Sequence, residues 1–389
     1  MGTVERGAFR VGWGEATGAI ADLGTFVPLV AALVLVNGLD GGSVLLMAGL
    51  VVIASGAIFR VPFPVQPLKA LTAVAVALQL HPDVIHAAGI EIGFFLLLLS
   101  VDRLADVVSR AFTKPVVRSL QFGVGILLVR ASYKLVVNPP AVFRGSPDAP
   151  WLAVLAVAGF VLIAWAVRKH AYVLALLALL AGLGAVASMA PPHLVAPSLH
   201  VPTLRWPDAR HFGTAFVLLV IPQLPLTFGN AVVAITDVSH GYFGARAARV
   251  TPSRVCLSAG VANLASGFVG GMPMCHGAGG LTAHYRLGAR RAGMNLLLGG
   301  SFVVLGLFFA AAVPEILGSL PLWLLASLLA YAGFRHALLV RDLRLKQMFV
   351  AIFAGGIGAV SGNLAITLVI ALAVEHVSRF WLRRRIHTP

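Results

Sequence analysis

The chain has 389 residues, of which 59% are hydrophobic and 11% are charged, and its formal net charge is +15. A composition this apolar lies outside the range of soluble domains and excludes a soluble enzyme or binding module. Apolar runs long enough to cross a bilayer recur from end to end, so the sequence predicts an all-α polytopic membrane protein.

Fourteen apolar segments follow one another along the chain, and each predicts a helix in the membrane. The first seven cover residues 12–36, 43–59, 62–80, 84–101, 116–137, 151–167 and 172–190. The second seven cover residues 212–236, 252–271, 273–285, 292–313, 316–338, 346–361 and 363–382. Because each set holds an odd number of segments, the second set is expected to run in the opposite direction, which predicts a 7+7 inverted repeat.

The third and tenth segments are broken helices that resemble each other across 210 residues of chain. Residues 62–73 read PFPVQPLKALTA and residues 272–283 read MPMCHGAGGLTA, so both pass from extended backbone into a short helix. Paired interruptions of this kind are the best sequence pointer to a transporter's binding site. Both half-helices would aim N–H groups and the positive ends of their dipoles at the space between them, which suits an anion.

The distribution of Lys and Arg fits one orientation in the membrane. With the N-terminus inside, 23 of the 29 basic residues lie on the cytoplasmic side, and only Lys69 is left within the membrane. Cytoplasmic loops of membrane proteins are enriched in these residues. We therefore expect a bacterial-type inner membrane protein with both termini in the cytoplasm, and the basic charge requires no nucleic-acid partner.

Polar groups inside the apolar segments are functional candidates, because their burial in a bilayer is costly. The candidate substrate-binding residues lie at the half-helices or on polar faces of the first and eighth segments, and they are Thr25, Gln66, Lys69, Gln223, Thr227, His276, Gly277, Ala278, Gly279 and Gly280. Asn230 extends the polar face of the eighth segment. Asp22 shares a helix face with Thr25 and, as a carboxylate, repels an anion, so Asp22 and His276 are the candidates for coupling.

Several of these residues also have a structural interpretation. Glycines in membrane helices permit close helix packing, which is the alternative for residues 277–280. His276 could be a hydrogen-bonded structural residue that occupies the position equivalent to Gln66. Lys69 could extend toward the membrane surface or pair with Asp22.

Enzyme motifs are absent from the sequence. It contains no H-E-x-x-H, Walker loop or G-x-S-x-G pattern, and its two cysteines form no metal pattern, so we expect no enzyme, cofactor or metal site. His193, His200 and His211 lie scattered in and beside a predicted external loop, without metal-ligand spacing.

At the motifs above, the sequence closely resembles the molybdate transporter family of plants and bacteria, a branch related to the SulP sulfate and anion transporters. The resemblance is carried by GAIADLGT at 18–25, PVQPLKA at 64–70, PQLPLT at 222–227 and CHGAGGLTAHYRLG at 275–288. It implies a core domain of residues 1–110 and 193–313 and a gate domain of residues 111–192 and 314–389. It also implies substrate bound between segments three and ten, elevator-like movement of the core, and dimerisation through the gate.

These features predict a secondary active transporter of a tetrahedral divalent oxyanion, with molybdate as the first candidate substrate and sulfate as the second. Bringing two negative charges into a cell at about −100 mV costs about 4.6 kcal/mol, which favours proton symport, with sodium as the alternative ion. A nucleobase permease of the same architecture and an anion channel are the other interpretations. A nucleobase permease usually presents a carboxylate to the base, which the HGAGG sequence at 276–280 lacks.

Overall fold

The computed structural model describes residues 7–101, 113–139, 143, 149–168 and 197–386, of which residues 149, 166–168 and 378–386 are described by their backbone alone. The predicted seventh segment, 172–190, lies outside the described residues. The helices of the first half are α1 (Trp13–Ala19), α2 (Leu23–Leu35), α3 (Gly41–Phe59), α4 (Lys69–Leu78), α5 (Pro82–Leu99), α6 (Lys114–Val137) and α7 (Ala149–Arg168).

The helices of the second half are more divided, and several of them are short. They are α8 (Ala209–Ala215), α9 (Ile221–Leu226), α10 (Ala234–Phe243), α11 (Pro252–Phe268), α12 (Ala278–Arg286), α13 (Gly293–Phe308), α14 (Val313–Gly318), α15 (Leu322–Ala337), α16 (Leu345–Ser361) and α17 (Leu364–Ile386). Two strands, β1 (Gln66–Pro67) and β2 (Met274–Cys275), precede α4 and α12.

Six helical stretches among the described residues are long and apolar enough to cross a membrane. The helical residues 310–318 follow α13 at an angle of 95°. Counting α13 and these residues as one span raises the number of spans to seven. Four shorter apolar helices accompany them, including α4. The structure is thus mostly helical, as the sequence predicts, while the fourteen spans and the 7+7 repeat stay predictions.

The eighth segment is longer than the predicted 212–236. It forms one helical rod over Ala209–Ala247, in which π-helical turns at Phe216–Val220 and Thr227–Val233 flank α9. Pro222 and Pro225 lie in α9 and lack the N–H group that an α-helix needs at each position, which accounts for wider turns around it. The eleventh segment ends earlier than predicted, because the chain leaves the axis of α13 after Phe308.

Helices of the first half pair mainly with helices of the second. α3 packs on α13, α5 on α11, and α6 on both α15 and α16. The closest crossings depend on glycine: a Cβ atom on Gly49 would lie 2.6 Å from the carbonyl oxygen of Gly299, and one on Gly125 would lie 2.6 Å from that of Gly333. Small residues at these crossings let the backbones touch, as is usual between membrane helices.

Strands β1 and β2 join the two broken segments at the centre of the protein. They pair antiparallel, with Gln66 opposite Cys275 and Pro67 opposite Met274. The N–H of Leu68 adds a 3.1 Å bond to the carbonyl oxygen of Pro273. Because α4 and α12 begin directly after these strands, the two short helices, of 10 and 9 residues, start close to each other from opposite directions.

Candidate functional site

Two buried asparagines hold the extended backbone before the half-helices. Asn295 on α13 accepts from the N–H of Phe63 at 3.1 Å and donates to its carbonyl at 2.7 Å. Asn263 on α11 makes the same pair of bonds with Met274, at 2.9 and 2.7 Å. Non-helical backbone in a membrane needs such internal partners, so these residues determine where α4 and α12 begin.

Gln66 and Asp22 form a buried pair beside the start of α12. The Gln66 Nε2 atom donates to both carboxylate oxygens of Asp22, at 2.6 and 2.5 Å, and Thr25 lies beside the same carboxylate. Since an ionised carboxylate only accepts, the amide presents Nε2 to Asp22 and turns Oε1 the other way. That oxygen is buried without a hydrogen-bond partner in the described residues, next to the Gly277 backbone.

His276 links the two broken segments through both nitrogens of its ring. Nδ1 lies 3.0 Å from the carbonyl oxygen of Pro64, and Nε2 lies 3.0 Å from the hydroxyl of Ser258. A carbonyl can only accept, so Nδ1 carries the proton and Nε2 accepts from the hydroxyl. The ring also packs edge-on against Phe63, with 4.9 Å between centroids. In this conformation, both ring nitrogens of His276 therefore have protein partners.

Gln223 connects the eighth segment to the first half-helix. Its Oε1 accepts from the N–H of Leu71 at 3.0 Å, and its Nε2 donates to the Thr227 hydroxyl at 2.9 Å. Leu71 lies in the first turn of α4, where N–H groups have no partner within the helix. The bond therefore fixes the orientation of the amide and attaches α4 to the π-helical part of the rod.

Four backbone N–H groups at the half-helix starts have no acceptor among the described residues. They belong to Lys69 and Ala70 in α4 and to Ala278 and Gly279 in α12. A Cβ atom on Gly280 would lie 2.8 Å from atoms of Asp22, Gln66 and Pro64, whereas one on Gly279 would meet nothing within 4 Å. Gly280 is thus required for packing, and Gly279 faces open space.

A small cavity of about 30 Å³ lies where the start of α4 meets α6, α15 and the helical rod. Its lining residues are Lys69, Ala70, Gln121, Val124, Gln223, Leu226, Thr227, Asn230, Ala231, Cys275 and His336. Lys69, Gln223 and Thr227 were predicted as site residues from the sequence. The other predicted residues, which are Thr25, Gln66, His276 and residues 277–280, lie outside this lining and surround the start of α12 instead.

The cavity is suited to a negative ligand. Its lining contains no carboxylate among the described residues, and both Lys69 and Arg118 lie within electrostatic range of His336. Arg118 donates from Nη1 to Gln121 Oε1 at 2.7 Å and is itself held by Asp342 at 2.6 Å. That contact leaves the Nε2 group of Gln121 available as a donor. A cationic side chain and neutral amide donors thus meet in one partly buried space.

Gln121, Cys275 and His336 are the lining residues that the sequence analysis did not single out. Gln121 and His336 are polar residues on otherwise apolar helices, which is the one signal that could have drawn attention to them. Their position opposite Lys69 depends on how α6 and α15 pack, and no motif encodes it.

Solved membrane transporters share this fold. The transmembrane domain of the cyanobacterial bicarbonate transporter BicA aligns with a TM-score of 0.62 and 15% identity, covering 92% of this chain and 96% of that one. The murine Slc26a9 anion transporter in its inward-facing state aligns with a TM-score of 0.64 and 12% identity, covering 95% and 68%. The chain is thus a helical membrane protein with the fold of the SLC26 transporters.

Sequence comparison gives the family. A profile described as "Molybdate transporter of MFS superfamily" matches residues 14–128 and 215–335. Molybdate transporter 2 of Arabidopsis thaliana is 30% identical over 90% of this chain and 84% of its own length. Molybdate transporter 1 of Chlamydomonas reinhardtii is 29% identical over 85% and 84%. The chain belongs to the molybdate transporter family of integral membrane transporters, which confirms the resemblance drawn from its motifs.

Proposed function

We propose that this chain is a secondary active transporter that takes up molybdate, coupled to protons, by elevator-type alternating access. The observation that carries the proposal is the cavity at the start of α4, where Lys69 and several amide donors converge without a carboxylate in the lining. A tetrahedral oxyanion has no hydrogen to donate when fully ionised, so a site built from donors matches it. The names of the family and of its relatives supply the choice of molybdate.

We assign the substrate contacts to donors that face the cavity or the open space beside it. Lys69 Nζ would supply the positive charge, and the N–H groups of Lys69, Ala70, Ala278 and Gly279 would supply fixed dipoles. Gln121 Nε2 and Asn230 would complete the shell from the opposite wall. Gln223 and Thr227 would add the second Nε2 hydrogen and the hydroxyl hydrogen, which the bonds between them and to Leu71 leave unused. Gln66, Thr25 and His276 would hold the half-helices in place, because their polar atoms already contact other parts of the protein.

The pairing of helices supports the inverted repeat. Exchanging the halves by the 210-residue offset converts the α3 and α13 pair into the α11 and α5 pair. The antiparallel pairing of β1 with β2 is compatible with the same exchange. These relations are the ones that a two-fold axis in the membrane plane would produce.

The position of the cavity supports division into core and gate. Lys69 and the rod residues belong to the proposed core, of residues 1–110 and 193–313, while Gln121 and His336 belong to the proposed gate, of residues 111–192 and 314–389. A substrate held mainly by the core, at its boundary with the gate, would be carried across the membrane when the core slides against the gate. The proposal also includes a bacterial-type inner membrane location with both termini in the cytoplasm. It further includes a homodimer formed through the gate.

Asp22 is our proposed proton carrier. Lys69 lies within electrostatic range of Asp22, so protonating the carboxylate would leave more of the Lys69 charge to a bound dianion. A protonated Asp22 could no longer accept two bonds from Gln66 Nε2. If the Gln66 amide rotated, its Oε1 atom, which has no partner among the described residues in this structure, could accept a bond from the new O–H of Asp22. Substrate and proton would then favour each other's binding, which is the reciprocal linkage that symport requires.

Molybdate binding to the purified protein tests the proposed function. We expect calorimetry to detect one molybdate per chain, with sulfate competing more weakly and uracil or xanthine not competing. Binding of sulfate in preference to molybdate would overturn the choice of substrate and leave the oxyanion site standing. Binding of a nucleobase, with neither oxyanion bound by folded protein, would reject the proposal as a whole.

The substitution Asp22→Asn is expected to uncouple transport from the pH gradient while molybdate is still bound. In vesicles, collapsing a gradient of one pH unit should lower wild-type accumulation about tenfold for each coupled proton, because that gradient is worth about 1.4 kcal/mol. Accumulation by Asp22→Asn should not respond. Asp237→Asn, at an exposed carboxylate of α10, is the matched control and should behave as wild type. If accumulation by Asp22→Asn responded to the pH gradient as fully as that of wild type, Asp22 would be ruled out as the proton carrier. If wild-type accumulation depended on a sodium gradient alone, sodium would be the coupling ion instead of the proton.

A further inference from the structure

A cluster of metal-ligating side chains lies at the start of α5, away from the cavity. His81 and Asp83 flank the first residue of α5, and His211 lies in α8. One potential ligand atom from each residue lies within 4.8 Å of the other two. The Asp83 Oδ2 atom is central, at 3.5 Å from His81 Nδ1 and 4.0 Å from His211 Nδ1. The three donors therefore converge, although 130 residues of chain separate His81 from His211.

Local structure orients the two histidines toward Asp83. His81 is the N-cap of α5, and its Nδ1 is unprotonated because it accepts from the Asp83 N–H at 3.3 Å. This bond is long and exposed, and the lone pair would have to give it up to bind a metal. The His211 Nδ1 atom is buried and has no hydrogen-bond partner in the described residues. The two imidazole rings stack, with 5.8 Å between centroids and 16° between planes, so both rings are held side by side next to Asp83.

A third histidine lies on the buried side of the carboxylate. His86 lies one turn further along α5 and is 1% exposed. Its Nδ1 lies 3.9 Å from Asp83 Oδ1, beyond hydrogen-bond distance. Outer partners of ligating carboxylates donate to one oxygen and leave the other for the metal, and a small closing of this gap would let His86 do so. Asp83 thus has one oxygen toward His86 and one toward His81 and His211.

We propose that His81, Asp83 and His211 bind a divalent transition-metal ion of the Zn²⁺ type. Two imidazoles and a carboxylate are ligands that Zn²⁺ favours, and water would complete a tetrahedral shell. Ligands on Zn²⁺ lie about 3.4 Å apart. The two separations that involve Asp83 are 3.5 and 4.0 Å, and all three ligand atoms lie within 4.8 Å of one another, so side-chain movements of about 1 Å would close the shell. Mg²⁺ and Ca²⁺ prefer oxygen ligands and do not match this donor set.

The ion would reach this site from solvent and would join two elements of the proposed core. The side chains of His81 and Asp83 are 65% and 34% exposed, which leaves an open path. The metal would connect the start of α5 to α8, on the face that the proposed topology puts outside the cell. This position contradicts the expectation that His211 has no metal-ligand partners, because those partners come from the other half of the chain.

Calorimetry with ZnCl₂ on full-length protein, purified without a histidine tag, tests the site. We expect one Zn²⁺ per chain, at least tenfold weaker binding in both His81→Ala and His211→Ala, and no competition by Mg²⁺. His376→Ala, at an exposed histidine of α17, is the control and should bind Zn²⁺ as wild type.

Molybdate binding by the variants serves as the folding control, since none of these histidines belongs to the proposed substrate site. If His81→Ala and His211→Ala proteins lose Zn²⁺ binding and keep molybdate binding, the result supports the metal site, whichever ion drives transport. Wild-type protein that binds no stoichiometric Zn²⁺, or His81→Ala and His211→Ala proteins that bind it unchanged, would overturn it.

Discussion

Lys69→Met protein is expected to bind molybdate about 10- to 150-fold more weakly than wild type. Lys69 is the one lysine or arginine among the described residues that line the cavity, and Gln223 and Thr227 supply only neutral donors. A hydrogen bond to a charged group contributes about 1.5–3 kcal/mol, which corresponds to that range of affinity. Calorimetry with molybdate on both proteins measures the change directly.

Two further variants separate the charge of Lys69 from general disruption. Lys69→Arg keeps the positive charge and should retain part of the affinity, although a guanidinium differs from an ammonium group in shape and hydration. Lys346→Met removes an exposed lysine at the start of α16 and should leave the affinity unchanged. Equal molybdate affinity in Lys69→Met and wild type would show that substrate binds elsewhere than at the start of α4.

Gly280→Ala is expected to destabilise the protein and to abolish high-affinity molybdate binding. The added Cβ would lie 2.8 Å from Asp22 Oδ2, Gln66 Nε2 and Pro64 Cβ, all of which are buried. Overpacking a buried site costs about 1–3 kcal/mol. The half-helix would have to move away from the Asp22 and Gln66 pair, and its free N–H groups would move with it. A lower midpoint of thermal unfolding in detergent would report this change.

The neighbouring residue provides a matched control for stability. Gly279→Ala introduces the same methyl group into the same helical turn, where it meets no atom within 4 Å. Because alanine is favoured over glycine in a helix by about 0.5–1 kcal/mol, this variant should unfold at the same temperature as wild type or slightly above it. Similar destabilisation of both variants would mean that a general effect of replacing glycine in this turn, rather than contact with Gln66, explains the result at Gly280.

Much of the fold could be predicted because it depends on properties of short stretches of chain. Apolar length predicts the helices such as α3 and α6, and proline and glycine predict the extended turns before α4 and α12. The likeness of residues 62–73 to 272–283 was enough to expect a central pair of half-helices and to single out Gln66, Lys69 and His276. The helical rod was underestimated, since its last turns carry Asp237 and His240 and no longer look apolar, yet the helix continues.

Composition and hydropathy by themselves determined that this is a helical membrane protein, and the local motifs determined its family and the place of its half-helices. Which polar groups remain available was decided by the tertiary structure alone. Gln66 is occupied by Asp22 and His276 by Pro64 and Ser258, whereas Gln121 and His336 come to face Lys69. The physical reason is that a helix encodes its own apolar face within a few turns, while a buried hydrogen bond depends on a partner in another element, 44 residues away for Gln66 and Asp22 and 212 residues away for His276 and Pro64. The meeting of His81 with His211 follows from the same cause.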